Sequence, residues 1–379
     1  MLLQLTSDQE LLRETTARFL DETVPPAELR RLRDDPVGFT EGWWRRGAEL
    51  GWTSLLVSEQ HGGGSISGRG LVDLALIAHE FGRRAAPGPL IPTSVVAAAL
   101  SAAGDDAHAP VLARLLSGDA IATWCLAEPR PNDRLGAVAL EIRRDGGDVV
   151  LRGVKRPVEA AATASHLLVT GRTGDGLAQV LVPADAPGVT ITPMESVDLT
   201  RRFHRVTFDR VRLPASSLVG EPGRADAQVE RQLQQALVLL AAESVGAMQS
   251  GFDMTVAWAF DRFSFGRPLA SYQAIKHRCA DLKAWLEASH AIADAAAAAV
   301  DAGTDEAAEL ASIAKAYVGD QGAELLQDCV QLHGGIGVTF EHDLHLFLRR
   351  LTVDRALFGT PAEHRVRIAG LLARRTEAA

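Results

Sequence analysis

The sequence predicts an α+β chain in three consecutive parts, helical, then β-rich, then helical again. Three observations carry this. Up to about Gly118 the apolar residues recur at helical spacing; between about Asp119 and Gly223 short β-branched runs alternate with Gly and Pro; and the stretch from about Asp226 to Phe260 contains no Pro, with Gly only at Gly246 and Gly251. The expected division is an N-terminal helical domain over 1–118, a central β domain over 119–223 and a C-terminal helical bundle over 224–379.

In the first part, Ser7 and Glu10 have the spacing of a capping box, and Leu12, Phe19 and Leu20 fall on one side of the helix that follows. Trp43-Trp44, Leu50-Gly51-Trp52 and Leu71 to Phe81 continue as helices, interrupted by the loop Gly62-Gly63-Gly64. In the second part, Val149 to Leu151, His166 to Thr170, Gln179 to Val182 and Arg205 to Phe208 read as strands of an antiparallel barrel or sandwich. In the third, one long helix over 226–260 is followed by long helices around Lys276 to Ala302 and Asp305 to Leu332. Ala288, Ile292, Ala295 and Ala299 form a small-residue face that permits close helix approach.

A chain of 379 residues has room for more than one core, and its net charge of -9 without a Lys/Arg cluster argues against nucleic acid or an anionic membrane as a partner. Met1-Leu2-Leu3-Gln4 does not open a secretion signal, and the apolar runs are too short or too Ala-rich to span a bilayer. Cys125, Cys279 and Cys329, odd in number and widely spaced, fit reduced thiols in a cytoplasm.

The most informative segment is Arg262-Phe263-Ser264-Phe265-Gly266-Arg267-Pro268, continuing through Tyr272-Gln273-Ala274-Ile275. Its guanidinium can clasp a pyrophosphate in a fixed fork, its aromatics can cover a flat ring, and its turn brings both beside the next helix. Gln331-Leu332-His333-Gly334-Gly335-Ile336-Gly337 follows in the right order. Together these motifs resemble the flavin-binding signature of the acyl-CoA dehydrogenase family, and the resemblance extends over essentially the whole chain. It implies a helical domain, a small β domain and a C-terminal four-helix bundle, assembled as a dimer of dimers. It also implies FAD as cofactor, an acyl-CoA or acyl-carrier thioester as substrate and an electron-transfer flavoprotein as redox partner. In the implied reaction a carboxylate takes the α proton, flavin N5 accepts the β hydride, and hydrogen bonds to the thioester carbonyl stabilise the enolate-like charge.

Carried over residue by residue, the resemblance assigns Arg262 and Phe265 to the pyrophosphate and adenine side of FAD and Gln273 to the element that follows. It assigns Gln331, Gly334 and Gly335 to the turn that approaches a neighbouring subunit's FAD, and Gly359-Thr360 to the ADP end. An isolated Arg at a helix start is ordinarily a surface residue and a Gly pair ordinarily a helix stop. The surrounding motifs turn both readings toward the cofactor.

Three departures stand against this pattern. The position immediately before Gly359-Thr360, where most of the family has its catalytic Glu, is Phe358, and the alternative base position on the long helix falls at about Ala236; neither can accept a proton. Glu243, two turns further on from Ala236, is the next carboxylate along that helix. It is either a relocated base or a structural ion-pair partner. Asp343, in Glu341-His342-Asp343-Leu344-His345, is a secondary candidate for proton chemistry. No metal site is expected there, since a third ligand at diagnostic spacing is lacking. The third departure is in the β domain, where Ala127-Glu128-Pro129-Arg130-Pro131-Asn132-Asp133 and Lys155-Arg156-Pro157-Val158-Glu159 replace the glycines, Thr hydroxyl and aromatic wall that hold the flavin ring in relatives. Such a chain resembles the unequal-subunit acyl-CoA dehydrogenases of actinobacteria, which act on bulky steroid-side-chain thioesters and in which a related chain would supply ring site and base. A non-catalytic scaffold subunit and a self-contained dehydrogenase for carrier-bound acyl groups remain as alternatives, as do homo- and heterotetramers.

Overall fold

The computed structural model describes residues 4–132 and 134–378; Met1 to Leu3 and Asp133 lie outside the described residues. The first part is helical: α1 (Ser7–Thr23), α2 (Pro26–Arg31), α3 (Glu41–Glu49), α4 (Gly70–Arg84), α5 (Leu90–Ala103) and α6 (Ala109–Leu116). The capping box lies one residue earlier than expected. Thr6 Oγ1 accepts from the Gln9 amide at 3.3 Å and Gln9 Oε1 accepts from the Thr6 amide at 3.1 Å, so Ser7 is the first helical residue and not the cap. Both pairs have the same spacing, and the sequence alone does not choose between them. Leu50-Gly51-Trp52 is also not helical. Gly51 takes φ +93°, turning the chain so that Trp52 enters the core, where its ring packs edge-on to Phe81 at 4.9 Å and its N–H reaches Thr16 Oγ1 at 3.2 Å.

The middle part is one mixed sheet built from β1 (Ala122–Cys125), β2 (Glu141–Asp145), β3 (Asp148–Glu159), β4 (His166–Arg172), β5 (Leu177–Pro183), β6 (Val189–Met194), β7 (Phe203–Pro214) and β8 (Leu218–Val219), in the order β6-β7-β3-β2-β4-β5-β8 with β1 on β4. Most pairs are antiparallel as expected, but β1 runs parallel to β4 from Ala122↔His166 to Cys125↔Val169, and β2 meets β4 in parallel at Glu141↔Arg172. The four predicted runs lie inside β3, β4, β5 and β7. Strand β2 escapes sequence reading because only Ile142 of Glu141-Ile142-Arg143-Arg144-Asp145 turns inward.

The last part comprises α7 (Asp226–Asp261), α8 (Gln273–Ala302), α9 (Ala307–His333), α10 (Leu344–Ala356) and α11 (Pro361–Ala378), of which α7, α8 and α9 are the long helices read from the sequence. Where α4 crosses α7, Gly82 and Gly246 allow the backbones to touch: a Cβ on Gly82 would meet the Glu243 carbonyl oxygen at 1.8 Å, and one on Gly246 the His79 carbonyl oxygen at 2.0 Å. This crossing fixes Glu243 at the seam between helical parts. On α8, Leu282, Leu286, Ala293 and Val300 face the core, whereas Ala295 is exposed and Ala288 and Ile292 are half-buried. No described helix is long and apolar enough to cross a membrane.

Candidate active site

A cavity of about 680 Å³ opens between β1, the loop 126–137, the end of β3 and the turn after α10, with Trp124, Glu128, Arg130, Glu159, Phe358 and Glu363 among its walls. Helix α10 ends at Ala356, and the chain turns sharply through Phe358 and Gly359, at φ +54° and +100°. Left-handed backbone is costly for a residue with a Cβ, by about 1–3 kcal/mol. Buried His364 holds the strained turn, its Nε2–H donating to the Phe358 carbonyl at 3.0 Å. The phenyl ring stacks on Trp124 with centroids 5.5 Å apart and planes at 23°, and the Trp124 indole N–H is held by Thr170 Oγ1 at 2.9 Å. An aromatic pair therefore occupies the position at which the family resemblance leads one to expect a catalytic Glu.

Among the described residues three carboxylates line the cavity, and each is engaged. Glu128 accepts from Lys155 Nζ at 2.7 Å and from the Ala139 and Leu140 amides at 3.0 and 2.9 Å. Burial drives the Lys155 ammonium pKa down against the pull of Glu128. Glu363 accepts from the Leu135 amide at 2.9 Å and from the Thr360 amide and hydroxyl at 2.8 and 2.9 Å. Burial opposes its ionisation, but those amides outweigh burial and hold its pKa below the ordinary value. Glu159 receives a two-pronged grip from Arg201, at 2.7 Å from Nε and 2.5 Å from Nη2; burial nonetheless raises its pKa, outweighing the guanidinium.

Arg201 leads from the cavity into a buried charge cluster that the sequence did not reveal. It donates to Glu243 at 3.2 Å and to Asp354 at 2.6 Å. Arg350, fully buried, donates to Asp198 at 2.6 Å, to Glu243 at 2.5 Å, to Thr200 Oγ1 at 2.5 Å, and to the Ala85 and Ala86 carbonyls at 3.2 and 2.9 Å. The cluster ties α4, β3, the segment before β7, α7 and α10 together. Glu243, 4% exposed, has an oxygen on each guanidinium and is not part of the cavity wall. Asp354 is raised by burial and by Glu243 beside it, against Arg201. Asp343 likewise lies off the cavity, at the start of α10 and paired with Arg30. Ala236 is fully buried on α7.

Thr360 apart, the residues assigned to the cofactor's ADP half lie at the C-terminal ends of α7 and α9 and at the start of α8. The expected turn is a two-residue hairpin, Phe263–Ser264 pairing with Arg267–Pro268, with Phe265 at φ +48° and Gly266 at φ +79°. Both central residues being left-handed matches the twist of a tight hairpin, and the consequence is a Phe265 side chain that is 98% exposed. Tyr272 braces the hairpin, its hydroxyl donating to the Ser264 carbonyl at 2.8 Å while the Arg267 guanidinium sits 3.8 Å over its ring. Arg262 is exposed and makes no side-chain hydrogen bond or ion pair among the described residues. Trp258, one turn before it, stacks on His333 at 5.4 Å, and the indole N–H and His333 Nε2 are both buried without partners. Gly334 takes φ +67° and ψ -141°, and open space surrounds the Cβ positions of Gly334 and Gly335. Gln273 and Gln331 are exposed at helix ends, and Thr360 lies at the cavity mouth.

Tested against FAD, the two ends differ. An unpaired guanidinium, a projecting ring, an orphaned indole donor beside an orphaned imidazole acceptor, and a glycine turn fit the ADP half. The cavity offers Thr123 Oγ1, buried and unpartnered among the described residues, and the donors of Asn132, Arg134 and Arg156, but the same wall carries Phe358 and the Arg201-bound Glu159. The aromatic and the bound carboxylate make the ring half a poorer fit to this wall than the ADP half is to the hairpin end.

One pH effect follows from His364, whose pKa is pushed down to about 4 by burial, outweighing its bond to Phe358. An unfolded His titrates near 6.5, so the unfolded chain takes up the proton first on acidification and stability falls as pH drops below about 6.5. Between pH 7 and pH 5 the expected loss is about 2 kcal/mol. Thermal melting of His364→Gln, which keeps a donor for the Phe358 carbonyl, should show a correspondingly shallower decline over that range.

Comparison with known proteins agrees with this architecture. Residues 6–119 match the acyl-CoA dehydrogenase N-terminal domain and residues 227–372 the acyl-CoA dehydrogenase C-terminal domain. The chain is 32% identical to acyl-CoA dehydrogenase IpdE2 of Mycobacterium tuberculosis over 94% of each protein. Among solved structures it superposes on a steroid ACAD variant, Tcur3481-Tcur3483, with TM-score 0.88 and 27% identity over 98% of this chain and 99% of that one. It also superposes on a glutaryl-CoA dehydrogenase from Mycobacterium smegmatis in complex with FADH2, with TM-score 0.86 and 23% identity over 97% and 95%.

Proposed function

From the premise that the chain belongs to the acyl-CoA dehydrogenase family of FAD-dependent oxidoreductases, we propose that it is the unequal partner in a two-chain cytoplasmic dehydrogenase. It would supply the ADP-side FAD contacts of Arg262, Phe265, Gln273, Gln331, Gly334, Gly335 and Thr360 across the subunit boundary. A related chain would supply ring site and base. The observation that carries this reading is Phe358 stacked on Trp124, beside three carboxylates that are already bound. The part of the α8 small-residue face left uncovered, exposed Ala295 with half-buried Ala288 and Ile292, supports assembly through the bundle, whereas Ala299 is buried within the chain. Similarity to the steroid ACAD named for two proteins, Tcur3481-Tcur3483, supports a bulky, steroid-like acyl thioester and a two-chain assembly. Bound FAD supplies hydride acceptance, with an electron-transfer flavoprotein as its oxidant. In this reading Glu243 and Asp343 are structural, because their carboxylates are spent on Arg201, Arg350 and Arg30. The runner-up, a self-contained enzyme, would need Glu243 to leave two guanidinium groups.

Purification of the chain alone tests the proposal: it should be colourless, and should turn yellow only when co-expressed with a related chain carrying Glu at the Phe358 position. Phe358→Glu in the isolated chain should remain without substantial dehydrogenase activity, because Glu159, Pro157 and the missing hydroxyls of the β domain are unchanged. A yellow, active single chain would contradict the reading.

A further inference from the structure

A cleft of about 780 Å³ lies away from the cavity described above, between the 54–70 loop, the second half of α5 and the first half of α7. Gln228, Gln232 and Gln235 line it from one face of α7, at spacings of four and three residues. Gln232 is only 1% exposed, and neither its amide oxygen nor its amide nitrogen has a partner; the Gln228 nitrogen is likewise unpartnered. A buried amide left unpaired on both atoms is costly, so a side chain held this way implies a group that completes it. Leu55, Leu71, Ala98 and Ala102 form apolar walls. The rim is held firmly, for a Cβ on Gly70 would stand 2.1 Å from the Leu55 carbonyl oxygen.

The charged side chains around the cleft are of both signs. Arg231 donates to the Val300 carbonyl, Asp301 accepts from the Leu71 amide at 2.8 Å, and Glu59 points to solvent at the outer edge. Arg231 and Asp301 bring opposite charges to the same cleft, so it offers no one-signed surface for an ion, whereas a neutral ligand with an apolar body finds walls for the body and a donor–acceptor pair for its head.

We propose that this cleft is a second small-molecule site, separate from the dehydrogenase site and independent of the reading given for it. Its ligand class is a neutral molecule with an apolar ring body and a head group that both donates and accepts, a carboxamide or hydroxyl that closes on the Gln232 amide.

Benzamide, with benzoate as its charged counterpart of the same shape, tests this on the full chain in its native assembly. Saturation-transfer NMR titration should show benzamide binding and benzoate at least about tenfold weaker, and a crystal soak should place the carboxamide on Gln232. Gln232→Leu should weaken benzamide about tenfold, the loss expected for two hydrogen bonds, without lowering the melting temperature. Gln232→Met serves the same comparison if the Leu variant folds poorly. Equal binding by wild type and variant, benzoate binding as well as benzamide, or a soak showing only ordered water on Gln232 would each overturn the proposal, as would a lowered melting temperature in both variants.

Discussion

Arg350→Met is expected to destabilise the protein by about 3–5 kcal/mol, the largest effect of any single change considered. Arg350 is fully buried and its nitrogens reach Asp198, Glu243, Thr200 and the Ala85 and Ala86 carbonyls. Met fills the volume but leaves Asp198 without its guanidinium and Glu243 with Arg201 alone. Removing one member of a buried ionic set is costly because the other charges remain, not because the pair itself is strongly favourable. Glu243→Gln should therefore cost less than Arg350→Met, and the double change less than the sum of the two. Denaturant unfolding of the three variants measures this. Additivity would show that Glu243 and Arg350 act independently. If Glu243→Gln instead left stability untouched and abolished dehydrogenation, Glu243 would be the relocated base and the structural assignment would fall.

Arg262→Ala should weaken FAD binding by the assembled protein tenfold to a hundredfold, the equivalent of about 1.5–3 kcal/mol for a charge-assisted contact. The side chain is exposed and forms no ion pair among the described residues, so its loss should leave folding unchanged. Equilibrium dialysis of FAD against wild type and variant, with melting temperature as control, separates binding from folding. Arg262→Lys should recover only part of the affinity, because an ammonium cannot supply the two parallel donors of a guanidinium. Unchanged affinity in Arg262→Ala would put the pyrophosphate elsewhere.

What could be read from the sequence was local. The 262–268 segment carries its residues side by side, and the long Pro-free run gave α7 nearly end to end. Phe358 emerged by counting to Gly359-Thr360, and the chain does place it in a cavity wall. The charge cluster was invisible because Glu243 meets Arg201 and Arg350 from positions 42 and 107 residues away. The available hint was Asp198-Leu199-Thr200-Arg201, where Asp198 caps its own turn by accepting from the Thr200 amide at 2.9 Å. Glu159 was seen only as a departure from a motif; that it faces the cavity and is held by Arg201 depends on where β7 begins. Trp52 was misread as helical because hydrophobic spacing does not register a left-handed Gly51.

The central claim is that this chain contributes to FAD sites built largely on another chain. Native mass spectrometry with flavin quantitation, applied to an assembly of two copies of each chain, tests it most directly. Two FAD per tetramer are expected, with this chain alone retaining none. Four FAD per tetramer, or a fully flavinated tetramer of this chain alone, would contradict it.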